Sequence, residues 1–491
     1  MLSDANIIFT DCDDESDNYY STITQKSNGV SQHRKKISTP LMPSFMVSAP
    51  GKVIAFGEHA VVYGKSAIAA SISLRSYLLV SFRSKSKHTI SLKFPDIGLS
   101  HTWNINDLPW ATFSHPSKRK YFHSRVTRLD PDLVKALDPH LQNISIESPD
   151  EIRKIHQSSA TAFLYLLLSL GSPSFKPCSY ILRSTIPIGA GLGSSASITV
   201  CLAAALLLQV RALSGPHEDQ PIEEAHTQIS RINMWAYVGE ICIHGNPSGV
   251  DNTVASQGKA VIFQRPDYSK EPIIRSLMKF PKLPLLLIDT RQPKSTADQV
   301  NKVATLRKTH PVITESILNA IDMVANGAIQ ILTDDESNKT RSEIVSEVGK
   351  LMALNHGLLV ALGVSHPRLE RLRELIDYEG LGWTKLTGAG GGGCAITLLK
   401  TDISDEEKSK LEKSLKIENF NTFETTLGCN GVGVLWPAVL KNGNEDDIGG
   451  EEIDRQKFLN ANGIDGVEKL VGVCSGGSDR EAWKYWSCES S

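Results

Sequence analysis

The stretch Ile186-Pro187-Ile188-Gly189-Ala190-Gly191-Leu192-Gly193-Ser194-Ser195-Ala196-Ser197 decides how the rest of the chain is interpreted. Its glycines stand at alternate positions and predict a tight loop whose backbone can approach a ligand closely. The apolar run 198–210 follows and predicts a buried helix. A glycine loop that enters a helix offers unpaired N–H groups and the positive end of the helix dipole, which favour an anion. The stretch therefore predicts a nucleotide phosphate site, with a serine-capped helix behind a flexible loop as the alternative.

Length and composition indicate a globular protein with more than one domain. A chain of 491 residues exceeds one ordinary core, and its net charge of −2 gives no case for a nucleic acid or a membrane as partner. The eight cysteines form no C-x-x-C pair and no dense cluster with histidine, so we expect reduced thiols and no zinc site. The first twenty residues are too acidic and polar for a targeting segment, so the expected compartment is the cytoplasm.

The chain divides into four predicted segments. Residues 1–44 are polar and carry too little apolar sequence to offset their ordering entropy, which predicts a disordered extension. Residues 45–265 and 283–440 are the predicted N-terminal and C-terminal domains, with a proline-rich linker between them. The tail 441–491 is acidic at first and then predicted to be weakly ordered, and no role is assigned to it.

Ionisable residues near glycine turns are the candidates for chemistry. Two apolar stretches flank Pro50-Gly51 and predict strands joined through a turn or a bulge. Lys52, Glu58 and His59 fall at the end of these strands or in the adjoining loop, where they face either a cleft or the surface. The following Gly64-Lys65-Ser66 is not a P-loop, because that motif requires glycine where His59 stands.

Two further regions carry such candidates. Glu240 lies near the end of the predicted helix 222–243, and Asp251 follows a turn, where it is either a helix N-cap or a functional carboxylate. The run 385–399 contains a formal G-x-G-x-x-G, but a predicted strand follows it, so we expect a backbone loop against a ligand at the domain junction and no dinucleotide fingerprint.

Four segments together resemble the signature motifs of the GHMP small-molecule kinases, in the order of that family. They are residues 47–65, 187–196, 245–252 and 386–394. The resemblance covers roughly residues 46–440 and implies an α+β fold of two domains with the active site in the inter-domain cleft. It also implies ATP- and Mg²⁺-dependent phosphorylation of a primary alcohol. The match is closest to the branch of the family that phosphorylates the 5-hydroxyl of (R)-mevalonate, early in isoprenoid and sterol biosynthesis.

The resemblance also implies a role for each site residue. Asp251 would be the base, with Lys52 beside it and in contact with ATP and the substrate hydroxyl. Ser195 and Glu240 would hold Mg²⁺, and Glu58, His59 and Thr290 would lie on the substrate side. The ATP-binding positions would be Lys52, Ser184, Gly189, Ala190, Gly191, Leu192, Gly193, Ser194 and Ser195. Where the family has an asparagine near the nucleotide, this chain has Asp96, which lacks the amide donor, so Asp96 is not counted as a site residue.

Several alternatives within this fold remain open. Phosphomevalonate kinase, diphosphomevalonate decarboxylase and galactokinase act on other substrates, and a metabolite sensor on the same scaffold would not catalyse at all. A sensor is expected to lose the base, the lysine or the magnesium carboxylate, whereas Asp251, Lys52 and Glu240 are all present. Related enzymes are often homodimers and often inhibited by prenyl diphosphates that compete with ATP, so the resemblance implies both as expectations.

Overall fold

The computed structural model describes residues 43–267, 272–334, 339–440, 451–472 and 482–487. Its strands are β1 (Phe45–Phe56), β2 (Ala67–Phe82), β3 (Thr89–Phe94), β4 (Leu99–Asn104), β5 (Cys178–Ser184), β6 (Ala260–Gln264), β7 (Ile273–Leu277), β8 (Leu283–Asp289), β9 (Gly382–Leu386), β10 (Cys394–Leu399), β11 (Asn421–Leu427), β12 (Gly433–Leu435), β13 (Val439–Leu440), β14 (Glu451–Glu452) and β15 (Lys484–Tyr485). Its helices are α1 (Trp110–Ser114), α2 (Pro131–Leu141), α3 (Asp150–Leu170), α4 (Ser194–Gln209), α5 (Ile222–His244), α6 (Val250–Gln257), α7 (Thr296–Thr309), α8 (Pro311–Thr333), α9 (Arg341–Ala361), α10 (Pro367–Ile376), α11 (Asp405–Ile417), α12 (Arg455–Leu459) and α13 (Gly463–Leu470).

A 13-stranded sheet runs through the described residues. Its longest path has the order β15-β12-β1-β2-β11-β8-β10-β9, and β2 also pairs with β5 and β6. The two halves of the sheet meet at one register pair, Leu427 with Ile72. This junction places the strands of the N-terminal part beside those of the C-terminal part, which is the α+β arrangement that the sequence predicts.

The central strand β1 carries the first glycine motif. The sequence predicts two strands joined at Pro50-Gly51 through a turn or a bulge, and the structure has the bulge. One continuous strand has irregular register between Pro50 and Lys52 and again between Ile54 and Phe56. Proline has no N–H to donate to a ladder, and the strand accommodates it with a local bulge. The bulge lies directly before Lys52 and sets the position of that side chain.

Helix α4 lies in the middle of the N-terminal core. It is apolar on all faces, and residues 199–208 are all buried. Such a helix must be enclosed on every side, and α4 contacts α5, α3 and the strands β1 and β2. The predicted buried helix after the glycine loop is therefore confirmed, and its first turn is fixed by the core behind it.

Helices α8 and α9 lie in the C-terminal part and pack against each other. Within the described residues, they are the helices long and apolar enough to cross a membrane by length and composition. Both also place side chains in the core, among them Ile321 of α8 and Met352 of α9. Core helices pass the same test of length and composition, so this finding does not favour a membrane-spanning role.

Two predictions about organisation need correction. The predicted linker contains β7, which pairs with β6 from Ile273 against Gln264 to Leu277 against Ala260. The described part of the tail is folded, because β15 pairs with β12 and because α12 and α13 lie against the sheet, with Phe458, Val467 and Trp483 buried there. The predicted N-terminal extension lies outside the described residues except for positions 43 and 44, and the predicted domain boundaries remain predictions.

Candidate active site

The glycine loop before α4 has the backbone that an anion site requires. Gly189, Gly191 and Gly193 have φ angles of 76°, 79° and 73°, a region that residues with a Cβ rarely adopt. Gly193 is the N-cap of α4, and no side chain caps the helix there. A serine N-cap, the alternative interpretation of this stretch, is therefore wrong, and the start of the helix faces the loop.

Lys52 ties β1 to this loop. Its backbone N–H donates to Leu192 O at 2.8 Å, and its Nζ donates to Gly191 O at 3.2 Å. A Cβ on the preceding Gly51 would lie only 2.9 Å from Leu192 O, so glycine at 51 permits this close approach. Lys52 is 8% exposed, and its Nζ lies 3.4 Å from Asp251 Oδ1.

Asp251 lies in the first turn of α6. The N-cap of that helix is Gly249, so the interpretation of Asp251 as an ordinary cap is wrong. The side chain of Asp251 is 34% exposed and forms the ion pair with Lys52. Its carboxylate is therefore accessible to a ligand and lies against a cation that stabilises negative charge.

Ser195 and Glu240 come together from α4 and α5. Ser195 Oγ lies 3.4 Å from Glu240 Oε2 and 3.0 Å from Nε2 of His244, one helical turn beyond Glu240. Burial, and then the charge of Asp251, raise the pKa of Glu240 to about 8, while Ser195 and Lys52 act in the opposite direction. Glu240 Oε1 is buried without a hydrogen-bond partner among the described residues. A buried carboxylate with an unpaired oxygen beside a second carboxylate suits a cation.

This pair fits Mg²⁺ better than a metal that needs a full protein cage. The described residues contain no group of three or more His, Cys, Asp or Glu that could hold a metal ion. Mg²⁺ commonly takes one or two protein oxygens and completes its shell with phosphate and water. A hydroxyl and one carboxylate, next to a phosphate loop, are such a set.

Glu58 and His59 face the fourth motif, residues 386–394. Glu58 is buried, pairs with the ammonium of Lys385 and accepts a hydrogen bond from Asn355 Nδ2 at 2.9 Å. His59 Nε2 donates to Ala389 O at 2.8 Å, and burial lowers its pKa. The geometry therefore assigns them contacts that join the first motif to the loop 387–393.

Thr290 and Ser184 also make protein contacts near the loops. Thr290 is fully buried, and its Oγ1 donates to Gly393 O at 2.7 Å. Ser184 Oγ accepts from the N–H of Ile186 at 3.2 Å and lies 3.2 Å from Ser76 Oγ. The structure thus brings Lys52, the 189–195 loop, Glu240 and Asp251 together. It places Thr290 behind the segment 386–394 and Ser184 at the end of β5.

Lys294 is a site residue that the sequence reasoning missed. A Cβ on Gly191 would lie 3.4 Å from Lys294 Nζ, and one on Gly388 would lie 3.5 Å from it, so the ammonium lies between the two glycine loops. Burial lowers its pKa, and Lys52 adds to this effect. No hydrogen bond or ion pair joins it to another described side chain. Its neighbours Gln292 and Pro293 give no signal of function in the sequence.

A cavity of about 570 Å³ opens at the glycine loop. One wall is apolar and includes Phe94, Ile97 and Leu182, whereas Ser195 and Asp251 lie on the polar side. This division suits a ligand with a flat apolar group at one end and phosphates at the other.

Comparison with known proteins defines the class first. A family model described as the GHMP kinases N terminal domain matches residues 158–258, and one described as GHMP kinases C terminal matches residues 341–417. Together with the fold and the glycine loops, these matches make the chain a GHMP kinase.

Individual relatives show to which branch of the GHMP kinases the chain belongs. A mevalonate kinase of Gibberella zeae is 65% identical over 457 residues, which cover 93% of this chain and 90% of the relative. One of Aspergillus fumigatus is 61% identical over 452 residues, covering 92% and 84%. The crystal structure of the Methanococcus jannaschii mevalonate kinase matches with a TM-score of 0.53 at 25% identity, covering 77% of this chain and 97% of that one. The chain belongs to the mevalonate kinase family.

Proposed function

We propose that this chain is an enzyme that transfers the γ-phosphoryl group of ATP to the 5-hydroxyl of (R)-mevalonate. The observation that carries the proposal is the Lys52–Asp251 ion pair at 3.4 Å, in which Lys52 Nζ also donates to Gly191 O of the glycine loop at 3.2 Å. The proposed base Asp251, the cation of Lys52 and the proposed phosphate loop are therefore next to one another. Phosphoryl transfer requires this alignment of base, positive charge and phosphate.

The residues divide the work of the reaction among them. Asp251 accepts the proton of the 5-hydroxyl as the oxygen–phosphorus bond forms and the bond to the leaving ADP breaks. Lys52 stabilises the negative charge that develops on the attacking oxygen. The N–H groups at the start of α4 and the ammonium of Lys294 surround the phosphates from two sides.

Ser195 and Glu240 would hold Mg²⁺ next to the phosphates. When bound, the ion supplies neutralisation of phosphate charge. The buried and unpartnered Oε1 of Glu240 supports this assignment, because in the described structure that oxygen lacks the partner that burial requires.

Glu58, His59 and Thr290 act on the substrate side mainly by holding the loop 387–393. Glu58 is engaged by Lys385 and Asn355, and His59 by Ala389. These residues position the loop 387–393 against the cleft, and the substrate then meets the backbone of that loop.

The test of the base is Asp251→Asn, which keeps the shape of the side chain and removes its charge. A positioned base contributes roughly 10²–10⁴-fold, so we expect kcat to fall at least about 100-fold while nucleotide affinity is largely retained. Turnover near that of the unaltered protein would refute the assignment. A coupled ADP-release assay with mevalonate, phosphomevalonate and galactose as separate substrates tests the reaction itself.

The other candidate functions make different predictions in that assay. Turnover of phosphomevalonate or galactose in place of mevalonate would identify a different GHMP kinase, and turnover of none would favour a sensor. The presence of Lys52, Glu240 and Asp251 in one site supports catalysis. A cytoplasmic location, a homodimer and competition between prenyl diphosphates and ATP remain predictions, to be tested by fractionation, light scattering and inhibition kinetics.

A further inference from the structure

Arg183 connects the C-terminal tail to the edge of the nucleotide cavity. It lies on β5, next to Leu182 of the apolar cavity wall, and its side chain is 7% exposed. Its Nε donates to Asp96 Oδ1 at 2.9 Å. Its remaining nitrogens donate to three backbone carbonyls of the tail, those of Phe458 at 3.0 Å, Leu459 at 3.1 Å and Ala461 at 2.8 Å.

These carbonyls belong to the C-terminal end of α12 and the residues just after it. The last carbonyls of a helix have no partner within the helix, so an arginine that reaches them satisfies acceptors and fixes the end of the helix. The planar guanidinium can serve several acceptors at once, which an ammonium at the same place does less well. The tail and β5 are therefore joined through one side chain, beside the apolar contacts of Phe458.

Asp96 connects Arg183 to the turn that forms part of the cavity wall. It lies in the short turn Pro95–Ile97, and its Oδ2 accepts the N–H of Ser184 at 2.8 Å. The neighbours of Asp96 along the chain, Phe94 and Ile97, line the cavity. Across the turn, His156 Nε2 donates to Ile97 O at 2.7 Å. The turn is thus held by α3 on one side and by Arg183 on the other.

We propose that the C-terminal segment 451–472 is a positioning element for the nucleotide pocket, acting through Arg183 and Asp96. The inference rests on the proposed function, because it takes the cavity at the glycine loop as the ATP site. It also gives Asp96 a role that differs from contact with the nucleotide. Its carboxylate orients the wall of the pocket, and its negative charge pairs with the guanidinium of Arg183.

The first test replaces the shared side chain. In Arg183→Gln, the Kd for a fluorescent ATP analogue and the KM for ATP should rise at least about fivefold, while kcat and the KM for mevalonate stay within about twofold. Asp96→Ala, which removes the carboxylate without adding an amide donor near the nucleotide, should do the same. The double variant should be no worse than the stronger single one, because both residues belong to one link. Unchanged nucleotide affinity in a folded Arg183→Gln protein, or additive effects, would overturn the proposal.

The second test alters the tail alone. Asp454 is exposed, caps α12 by accepting from Lys457 N at 2.6 Å, and is not among the residues that line the cavity. Asp454→Ala removes the cap, whereas Asp454→Asn keeps one, since both residues cap helices well. We expect ATP-analogue affinity to fall about twofold or more in the alanine variant only. Equal affinities in the two variants would show that the tail does not act on the pocket.

The readouts separate this inference from the proposed function. Binding of the analogue is measured without mevalonate, so it reports on the pocket even if mevalonate is not the substrate. A protein that binds the analogue but does not phosphorylate mevalonate would refute the function and leave the positioning role to be decided by the same variants.

Discussion

Replacing Lys294 with methionine should separate activity from stability. The ammonium is partly buried between the loops of Gly191 and Gly388 and has no hydrogen bond or ion pair with another described side chain. In the absence of ligand it is a desolvated charge with little compensation, which is unfavourable for the folded state. If the phosphates of ATP lie between these two loops, as we propose, the ammonium contacts them, so Lys294→Met should weaken catalysis while it leaves the free protein as stable or more stable.

The expected loss follows from the type of contact. A hydrogen bond between charged groups contributes about 1.5–3 kcal/mol, and about 1.4 kcal/mol corresponds to tenfold in an equilibrium or rate. If Lys294 contacts the transferred phosphoryl group, kcat/KM should therefore fall about 10- to 150-fold. Steady-state kinetics with varied ATP and mevalonate measures this loss, and urea unfolding without nucleotide measures the stability.

Lys294→Arg is the matched control, because it keeps the charge and the reach to both loops. The arginine variant should retain more activity than the methionine variant. It should not show the increase in the free energy of unfolding that the methionine variant can have. If Lys294→Met kept its kcat/KM, or if it unfolded at clearly lower urea, the ammonium would be structural and the reasoning would fail.

Three further changes test the rest of the site. Glu240→Gln keeps the shape of a predicted magnesium ligand without its charge, so the Mg²⁺ concentration for half-maximal turnover should rise roughly tenfold or more; an unchanged response would exclude that role. Lys385→Met leaves the Glu58 carboxylate buried without its cation and should lower the free energy of unfolding by about 3–5 kcal/mol, most of which Glu58→Gln in the same chain should restore; a double variant as unstable as the single one would contradict this. Burial lowers the pKa of His59 below its ordinary 6.5, so its contribution to stability is complete above pH 6.5 and is lost as the pH falls through the folded value. In urea titrations from pH 8 to pH 5, His59→Gln should flatten that part of the profile, and an unchanged difference from the unaltered protein would argue against it.

The elements that the sequence predicted well are those with strong local patterns. The apolar run after Ser195 can only be an enclosed helix, and alternate glycines before it fix a loop whatever the rest of the fold does. At Pro50-Gly51 the sequence predicted a turn or a bulge and could not decide between them, because the register with β2 that keeps the strand continuous is a long-range property. The strand β7 was missed for a similar reason, since it exists only through its pairing with β6.

The order of the C-terminal tail also depends on long-range contacts that the sequence does not show. Residues 451–472 and 482–487, the described part of the tail, form short elements in a mostly polar sequence, so no period in the sequence marks them as folded. They are ordered by contact with surfaces made elsewhere, through Arg183 and through Trp486, whose Nε1 donates to Gln228 Oε1 at 2.9 Å. In the sequence, these contacts are visible only as isolated tryptophans and arginines. Such residues occur both in packed and in exposed positions, so they do not predict an ordered tail.

Two buried or partly buried lysines show why the site could not be completed from sequence. Both lysines come from the C-terminal part; Lys385 reaches Glu58 of the first motif, and Lys294 reaches Gly191 of the glycine loop. Lys385 forms an ion pair with Glu58, whereas Lys294 forms no ion pair with an acidic side chain among the described residues. A cation with a buried carboxylate beside it has its counter-charge within the protein and is needed for the shape of the site. Lys294, between the two glycine loops, has the charge of Asp289 nearby but no ion pair with it, and a bound phosphate would supply a closer counter-charge. The sequence alone does not distinguish the two lysines. Only their partners in the structure separate Lys385, which is structural, from Lys294, which we assign to the reaction.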